Sequence, residues 1–411
     1  MSGVPPDTGA ASAWAASGTV ILSGRPGGPP LVPPGRAAVV ARDLAARFAV
    51  LTGAPRLDGE RLLSERAAFT GHRRGGRVSP GGACRILPTA DGWAAVSCAR
   101  PDDPALLGAL ACADVGRDPW PAVTSWLREH TGADLVRRAE LLGVAAGPVR
   151  TPAPSRRVPV PASPRPVKGA LVIDFSALWA GPLCAHLLGL AGARIVKVET
   201  PTRPDGARRG DPGFYRLLHA GHRSVVLDPE TAAGRRAMGA LVEAADIVIE
   251  ASRPRALARF GLDAEAAVAA GTIWVSITAD GRASDRVGFG DDVAAGAGLV
   301  CRGADMVPLF CGDAIADPLT GLTAAVLAAT APPGCGALWD VAMADVVAAS
   351  LDPGPPSPSI PALRRGDGWA VETGSGLVPV AGPVRREPDD EAPAMGADTT
   401  DVLRELGIPL P

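Results

Sequence analysis

Short apolar runs alternate with longer, more polar stretches along the second half of the chain. The runs are rich in valine and isoleucine and cover residues 170–175, 194–199, 224–228, 246–250 and 272–277. Continuous β-branched runs are typical of parallel strands that are buried on both faces. Helices are predicted between them, near residues 182–191, 230–244 and 263–270. Strands that alternate with helices predict an α/β fold with a doubly wound, Rossmann-like parallel sheet.

The first 150 residues have a different pattern, which predicts a second, smaller α+β domain. A helix is expected near residues 35–52, and a hairpin is expected around the turn dipeptide Asp91-Gly92. Residues 103–113 and 119–142 have apolar positions at helical spacing.

Proline-rich stretches set the expected domain boundaries. Residues 151–168 contain six prolines and are predicted to be a semi-rigid linker, because proline removes backbone donors. The predicted units are a disordered leader (1–18), the small domain (19–150), the linker (151–168), the α/β domain (169–350), and a proline-rich connection with a C-terminal tail that returns to the large domain (351–411).

Composition excludes several classes of protein. The chain has 411 residues, a net charge of −2 and no basic stripe, so nucleic acid is not an expected partner. No run reaches 18 apolar residues, so no membrane-spanning helix is expected. The seven cysteines and five histidines show neither a disulfide framework nor metal-ligand spacing, and a cytoplasmic protein without a metal is predicted.

An aspartate-proline pair precedes an apolar stretch at residues 317–330. Pro318 suits the first position of a helix, which predicts Asp317 as the N-cap. The positive end of the helix dipole is then expected to keep its carboxylate ionised. Asp313 is a competing candidate, and an aspartate that only caps the helix is the alternative.

Two further segments are candidates for anion binding. Gly181-Pro182 opens a helix and leaves backbone N–H groups free for an anion, although a G-x-G-x-x-G fingerprint is absent. Arg223, just ahead of a strand, is a candidate phosphate ligand, or alternatively a surface residue in an ion pair.

Taken together, these segments resemble the class III CoA-transferases, which include formyl-CoA transferase, carnitine CoA-transferase and the α-methylacyl-CoA racemases. The resemblance rests on the order and spacing of four stretches, with a further similarity at residues 396–408. The four stretches read VIDFSALWAGPLCAHLLGLAGARIVKVE, GHRSVVLDPETAAGRRAMGALVEAADIVIE, RPRALARFGLDAEA and GDAIADPLTGLTAAVLAA.

The resemblance implies roles for particular residues. It makes 169–350 the CoA-binding catalytic domain and Asp317, four residues before Gly321, the nucleophile. The implied CoA contacts are Trp179, Ala180, Arg223, Leu227 and Arg259. The asparagine-phenylalanine pair usual after the fourth strand is replaced by Ala251 and Ser252, and Thr200 stands where some relatives have arginine.

The resemblance also implies an unusual domain order. The small domain of the family follows the catalytic region, whereas here residues 74–149 look like that domain and precede the catalytic region. An unrelated leader domain is the alternative. Relatives close a glycine loop over the aspartyl intermediate, and Gly75, Gly76, Gly81 and Gly82 are the matching candidates, unless they form an ordinary surface loop.

The implied activity is transfer of coenzyme A from an acyl-CoA to a carboxylic acid through a covalent intermediate on Asp317, with no permanently bound cofactor and a homodimeric assembly. A racemase is the first alternative, but Phe289 occupies the place of its histidine, which leaves Asp291 or Asp292 as a poor substitute. A non-catalytic CoA-binding subunit is the second.

Overall fold

The N-terminal residues form helices that pack on the large domain. A computed structural model describes residues 9–153, 158–252 and 254–411. The first helices are α1 (Ala10–Ala16), α2 (Ala37–Thr52), α3 (Gly59–Leu62) and α4 (Glu65–Thr70). Trp14 is 1% exposed, and its Nε1 donates to the Gly35 carbonyl at 2.9 Å.

These helices correct two predicted boundaries. The predicted disordered leader 1–18 is wrong where the structure describes it, because α1 is an ordered helix; residues 1–8 lie outside the described residues. The small domain does not begin at residue 19, since Val20 and α2 side chains such as Phe48 share a core with the α/β domain. Alanine is a strong helix former and packs closely, so an alanine-rich leader folds once Trp14 anchors it.

The small domain has a three-stranded antiparallel sheet and three helices. Its elements are β1 (Cys84–Thr89), β2 (Gly92–Ser97), α5 (Asp103–Ala111), α6 (Trp120–Glu129), α7 (Gly132–Leu142) and β3 (Ala146–Pro148), with strand order β1-β2-β3. The hairpin expected at Asp91-Gly92 is confirmed. The helix expected over 119–142 is two helices, because Thr131 caps α7 in a capping box with Asp134.

A parallel sheet of six strands forms the large domain. The next strands in chain order are β4 (Ser163–Pro164), β5 (Leu171–Asp174), β6 (Arg194–Glu199), β7 (Arg223–Val226), β8 (Ile247–Glu250), β9 (Ile273–Thr278), β10 (Val300–Arg302), β11 (Pro308–Phe310), β12 (Thr330–Ala331) and β13 (Ala337–Ala342). The parallel order is β13-β9-β8-β5-β6-β7. The α/β fold class is thus confirmed, and the five predicted strands are present together with an unpredicted one, β13.

Helices cover both faces of this sheet. They are α8 (Ala180–Leu190), α9 (Pro212–His219), α10 (Ala232–Ala244), α11 (Pro254–Arg259), α12 (Ala264–Ala269), α13 (Gly290–Gly296), α14 (Ala316–Ala328) and α15 (Met343–Ala348). Alternate residues of β5 belong to different cores: Val172 packs with α8 and α14, and Ile173 packs with α10. The sheet is therefore doubly wound, as the apolar runs predict.

The C-terminal residues pack on two other parts of the chain. The strands β14 (Leu363–Arg365), β15 (Gly368–Thr373) and β16 (Gly376–Pro379) form an antiparallel sheet, of which β15 and β16 contact α1, and helix α16 (Thr399–Glu405) lies beside β7. Val226 donates its N–H to Thr399 Oγ1 at 3.0 Å. In the part of the chain that the structure describes, no helix is long and apolar enough to cross a membrane.

Gly321 allows α14 to pack closely against α8. A Cβ atom at this position would lie 2.7 Å from the Ala180 carbonyl oxygen and 3.0 Å from Leu183 Cβ. We expect Gly321→Ala to lower the free energy of unfolding by about 1–3 kcal/mol, because neither neighbour is the mobile end of a side chain. Urea unfolding measures the change.

Gly239 provides the matched control for that substitution. It lies within α10, and a Cβ atom there would meet nothing within 4 Å. Gly239→Ala is expected to raise stability by about 0.5–1 kcal/mol through helix propensity alone. If the two substitutions changed the free energy of unfolding equally, Gly321 would not be needed for the close packing of α8 and α14.

Candidate active site

A cleft of about 270 Å³ opens at the carboxyl ends of the parallel strands. This is the edge at which open α/β sheets bind ligands. The large domain contributes the loops after β5, β8 and β9, and the small domain contributes Arg100. The ionisable side chains of the lining are Arg100, Arg203, Arg286 and Asp317. The lining thus carries more positive than negative charge, which suits an anionic ligand.

Asp317 is the carboxylate of this cleft, but it is not the N-cap of its helix. Helix α14 begins at Ala316, and the N–H of Asp317 already donates to the Ala314 carbonyl at 2.9 Å. Ala314 has a left-handed backbone with φ 48°, and its N–H donates to Asp291 Oδ1 at 2.8 Å. The predicted cap is therefore wrong because a strained turn, held by Asp291, starts the helix earlier.

The protonation of Asp317 also differs from the prediction. Burial raises the pKa of Asp317 to about 7, with Arg66 acting to lower it and the carboxylates of Asp291, Asp292 and Asp313 acting to raise it. Desolvation and three like charges raise the pKa of Asp317 by more than the helix terminus and one guanidinium lower it. Near pH 7, Asp317 is therefore present in both its neutral and its charged form. Such a pKa suits a group that reacts as the carboxylate.

Gly290 brings α13 directly against the Asp317 carboxylate. A Cβ atom on Gly290 would lie 2.4 Å from Asp317 Oδ2 and 2.4 Å from the Ala314 carbonyl oxygen. Any side chain there would displace either the carboxylate or the turn before α14. In the sequence, Gly290 is only a glycine at the start of a short apolar stretch. Nothing near it indicates a contact with Asp317, which lies 27 residues later.

Asp313, the competing nucleophile, is committed to other contacts. It is fully buried, accepts from Arg66 Nε at 2.9 Å and lies 3.1 Å from His72 Nδ1. Although burial alone would raise it, the neighbouring Arg66 guanidinium and His72 hold the pKa of Asp313 well below its usual range. Asp313 therefore stays charged and paired. No pattern in the sequence points to Arg66 or His72.

The loop after β5 is only partly exposed to the cleft. Ala177, Leu178 and Ala180 line it, whereas the Trp179 ring is 2% exposed and lies under the Arg66 guanidinium, 5.1 Å away. Leu178 has φ 71° and donates its N–H to Asp205 Oδ1 at 3.0 Å. The structure thus brings Ala180 to the cleft beside Asp317 and turns the Trp179 side chain into the core.

Three other predicted CoA contacts lie outside the cleft lining. Arg223 is the first residue of β7, at the amino end of that strand, and pairs with Glu405 at 2.5 Å. Leu227 is 1% exposed, in the core beside α10. Arg259 is an exposed residue at the end of α11. Parallel strands place their amino ends away from the ligand edge, which explains the position of Arg223.

The predicted glycine loop contacts Asp313, not the cleft. A Cβ atom on Gly81 would lie 3.8 Å from Asp313 Oδ1 and 3.4 Å from His72 Cε1, and one on Gly82 would meet nothing within 4 Å. Gly76 is fixed by backbone hydrogen bonds to Gly24 and Phe310, and Gly75 forms a bridge with Val78. The loop is fixed at Gly75 and Gly76, packs against His72 at Gly81, and is open at Gly82.

Asp291 and Asp292, the candidates for a second acid or base, are buried. Burial raises the pKa of Asp291 and of Asp292 to about 6. Asp292 Oδ1 accepts from Ser97 Oγ at 2.9 Å and from the Phe289 N–H at 2.8 Å. Phe289 itself lines the cleft, and none of the five histidines does.

Comparison with known proteins supports the predicted resemblance. Residues 167–360 match the family model of CoA-transferase family III. A succinate–glutarate CoA-transferase of Agrobacterium fabrum is 31% identical over 211 residues, which cover 45% of this chain and 53% of that protein. A succinyl-CoA–D-citramalate CoA-transferase of Chloroflexus aurantiacus is 30% identical over 40% of this chain and 44% of that protein.

Among solved structures, a CaiB/BaiF family protein of Brucella suis is 26% identical with a TM-score of 0.43, covering 52% of this chain and 65% of that one. The Rv3272 protein of Mycobacterium tuberculosis is 31% identical with a TM-score of 0.40, covering 46% and 55%. The chain spans about half the length of the curated relatives it matches. The predicted resemblance to class III CoA-transferases is confirmed over the matched segment, which contains Asp317.

Proposed function

We propose that this protein transfers coenzyme A from an acyl-CoA thioester to a carboxylic acid, with Asp317 as the nucleophile. The observation that carries the proposal is the position of Asp317: a partly exposed carboxylate, inside the segment that matches CoA-transferase family III, in a cleft whose other charged groups are arginines. The matched relatives are named for CoA transfer between carboxylic acids.

The chemistry begins with the ionised form of Asp317. Its carboxylate attacks the thioester carbonyl, the C–S bond breaks, and a mixed anhydride and CoA thiolate form. The thiolate then attacks the aspartyl carbonyl, which releases the donor acid and leaves an aspartyl-CoA thioester. The acceptor carboxylate attacks that thioester to give a second anhydride and free thiolate. The thiolate attacks the acyl carbonyl of that anhydride, which gives the new acyl-CoA and restores Asp317.

The cleft favours transfer over racemisation. Racemisation needs an acid and a base on opposite faces of the α-carbon. Asp317 is the only acidic side chain among the described cleft residues, and Phe289 stands where a second group would be needed. Asp291 and Asp292 are at most 9% exposed. A single carboxylate is sufficient for covalent relay but not for two-base proton exchange.

One assay discriminates these functions. The protein is incubated with an acyl-CoA and an excess of a second carboxylic acid in deuterated water, across a panel of both. Formation of the CoA ester of the second acid, without deuterium at the α-carbon of the donor, is the expected result. Deuterium without a new ester would replace the proposal with racemase chemistry. Binding of acyl-CoA with neither change would favour a non-catalytic CoA-binding subunit.

The pH dependence of the donor half-reaction follows from the pKa of Asp317. Only the carboxylate attacks, and burial raises the pKa of this group to about 7. We expect kcat/KM for the acyl-CoA to rise about tenfold per pH unit below pH 7 and to level off above it. Rapid-quench measurement of the released donor acid between pH 5.5 and 8.5 gives the profile, because CoA ends this half-reaction as a thioester on Asp317. A profile that is flat from pH 5.5 to 7 while circular dichroism shows a folded protein would contradict this assignment.

A further inference from the structure

Asp291 is a buried carboxylate near the nucleophile that the proposed reaction does not use. It is the second residue of α13, is 9% exposed and is not among the described residues that line the cleft. Its Oδ1 atom accepts from the N–H of Ala314 at 2.8 Å, and the Ser79 side chain is a second hydrogen-bond donor to this carboxylate. Both donors are neutral groups, so they bind the carboxylate without compensating its charge.

The hydrogen bond to Asp291 holds a backbone conformation that is unfavourable for alanine. Ala314 has φ 48°, in the left-handed region where the Cβ atom of an L-residue is crowded. Such a residue persists only where its surroundings determine its conformation. The Ala314 carbonyl in turn accepts from the N–H of Asp317 at 2.9 Å. The turn residue is therefore bound through its N–H to Asp291 and through its carbonyl to the nucleophile.

Helix α13 also contacts the nucleophile directly. A Cβ atom on Gly290, the residue before Asp291, would lie 2.4 Å from Asp317 Oδ2 and 2.4 Å from the Ala314 carbonyl oxygen. Two successive residues of α13 thus fix the reactive carboxylate and the turn that carries it. Orientation of this kind matters for the rate, because a displacement of about 1 Å can cost about 100-fold.

The charge of Asp291 acts on Asp317 as well. Burial raises the pKa of Asp317 and Arg66 lowers it, and of the three nearby carboxylates that raise it further, Asp291 has the largest effect. The other two are Asp292 of α13 and Asp313 in the turn before α14. Burial raises the pKa of Asp291 itself to about 6, so this group is mostly charged at pH 7.

The two other carboxylates have different partners. Asp313 is paired with the Arg66 guanidinium, which compensates its charge. Asp292 accepts from the Ser97 hydroxyl of β2 at 2.9 Å, and thus binds the small domain. Asp291 combines a hydrogen bond to the turn before α14 with a charge that is held by neutral donors.

We propose that Asp291 is a positioning residue for Asp317: it holds the turn that carries the nucleophile, and it opposes ionisation of the nucleophile's carboxyl group. The inference rests on the proposed function and adds a residue to it. The two effects are separable by substitution. Asparagine keeps an acceptor oxygen for Ala314 but removes the charge, whereas alanine removes both.

The test measures the donor half-reaction by rapid quench of the released donor acid. The wild-type protein, Asp291→Asn and Asp291→Ala are compared from pH 5.5 to 8.5, and circular dichroism at each pH shows whether they are folded. The maximal rate constant and the acyl-CoA concentration that gives half of it are determined separately. Asp43→Asn is the matched control and is expected to behave as the wild type, because Asp43 is a 69% exposed aspartate of α2.

The maximal rate constant at pH 8.5 reports on the turn. Asp291→Ala is expected to lower it by about 10- to 100-fold, and Asp291→Asn to keep it within about threefold of the wild type, because only alanine removes the acceptor for Ala314. The half-saturating concentration of acyl-CoA is expected to change by less than about threefold in both variants, since Asp291 does not line the cleft.

The pH profile reports on the charge. For Asp291→Asn, the ratio of the rate at pH 6 to the rate at pH 8.5, at limiting acyl-CoA, is expected to rise about two- to threefold over the wild type. The sign follows because removal of a negative charge favours the carboxylate of Asp317. Misfolding lowers rates and does not raise this ratio, so the asparagine variant tests the proposal even where the alanine variant does not fold.

Other results would overturn the inference. An unchanged maximal rate in a folded Asp291→Ala protein, or an equal loss in both variants, would exclude the role of the acceptor oxygen. An unchanged or lower ratio for Asp291→Asn would exclude the role of the charge. A higher half-saturating concentration with an unchanged maximal rate would assign Asp291 to acyl-CoA binding. All of these leave the wild-type reaction intact, whereas absence of the donor half-reaction in the wild-type protein would refute the proposed function.

Discussion

Replacing Asp317 with asparagine is expected to lower kcat for CoA transfer by about 10⁴-fold or more, the magnitude typical for loss of a covalent nucleophile. The amide has nearly the same shape as the carboxylic acid, so contacts with Gly290 and α14 are retained. It cannot attack a thioester, and no other acidic side chain of the described cleft is placed to substitute for it. Steady-state transfer rates at pH 8, where Asp317 is mostly ionised, measure the loss.

Stability separates this chemical effect from misfolding. Because burial raises the pKa of Asp317 to about 7, the folded state binds a proton that the unfolded state has lost between about pH 4 and 7. The stability that this carboxyl contributes thus falls as pH rises through that window, and a neutral asparagine removes that loss. We expect Asp317→Asn to be at least as stable as the wild type at pH 8.

Asp401→Asn, on the exposed face of α16, is the matched control and is expected to leave kcat unchanged. Residual transfer by Asp317→Asn within about tenfold of the wild type would assign the reaction to another group. A large loss of stability at pH 8 would show that Asp317 is a structural carboxylate.

Replacing Arg66 with methionine is expected to lower the free energy of unfolding by about 3–5 kcal/mol, as is usual when one partner of a buried ion pair is removed. Arg66 makes two hydrogen bonds to Asp313, which is fully buried, and its guanidinium stacks over Trp179. Without the guanidinium, Asp313 keeps His72 as its side-chain partner in an ion pair or hydrogen bond. Denaturant unfolding measures the effect.

A double-substitution cycle identifies the cause. Asp313→Asn removes the buried charge, so Arg66→Met combined with Asp313→Asn is expected to be less destabilised than the sum of the two single variants. Arg61→Met, at a half-buried arginine of the neighbouring helix α3 that pairs with the exposed Asp58, is the control and is expected to change stability by less than about 0.5 kcal/mol. Additive effects of Arg66→Met and Asp313→Asn would refute the coupling.

The same substitution has a catalytic consequence. Arg66 is the main positive charge that lowers the pKa of Asp317, so its loss is expected to move the pH profile of the donor half-reaction to higher pH. An unchanged profile in a folded Arg66→Met protein would show that Arg66 acts only on stability.

The parallel sheet is the part of the fold that the sequence predicts well, because strands buried on both faces appear as unbroken apolar runs such as 246–250. Strand β13 is not predicted because Asp340 interrupts its short apolar run. Helix α1 is not predicted because its seven residues are mostly alanine, and the side chain that anchors it, Trp14, contacts a residue 21 positions away.

The sequence likewise predicts only the local part of the candidate site. Asp317 is identified by motif and resemblance, both of which are local in sequence. Its position within the helix and its pKa depend on Asp291 and on Arg66, which lies 247 residues before its partner Asp313, and no local pattern encodes such contacts. Arg223 lies at the start of its strand, as the sequence predicts, and forms the ion pair that was the alternative to phosphate binding, while its contact with CoA stays a prediction.

The proposed reaction requires that Asp317 becomes covalently modified, and intact-protein mass spectrometry detects such a modification. The wild-type protein and Asp317→Asn are incubated at pH 8 with a panel of acyl-CoAs, and hydroxylamine is added to half of each sample. We expect a mass increase of the wild-type protein that hydroxylamine removes, located by peptide mapping at Asp317, and no increase in the variant. An equal adduct on both proteins, or transfer activity in a wild-type protein that shows no adduct under any condition, would contradict it.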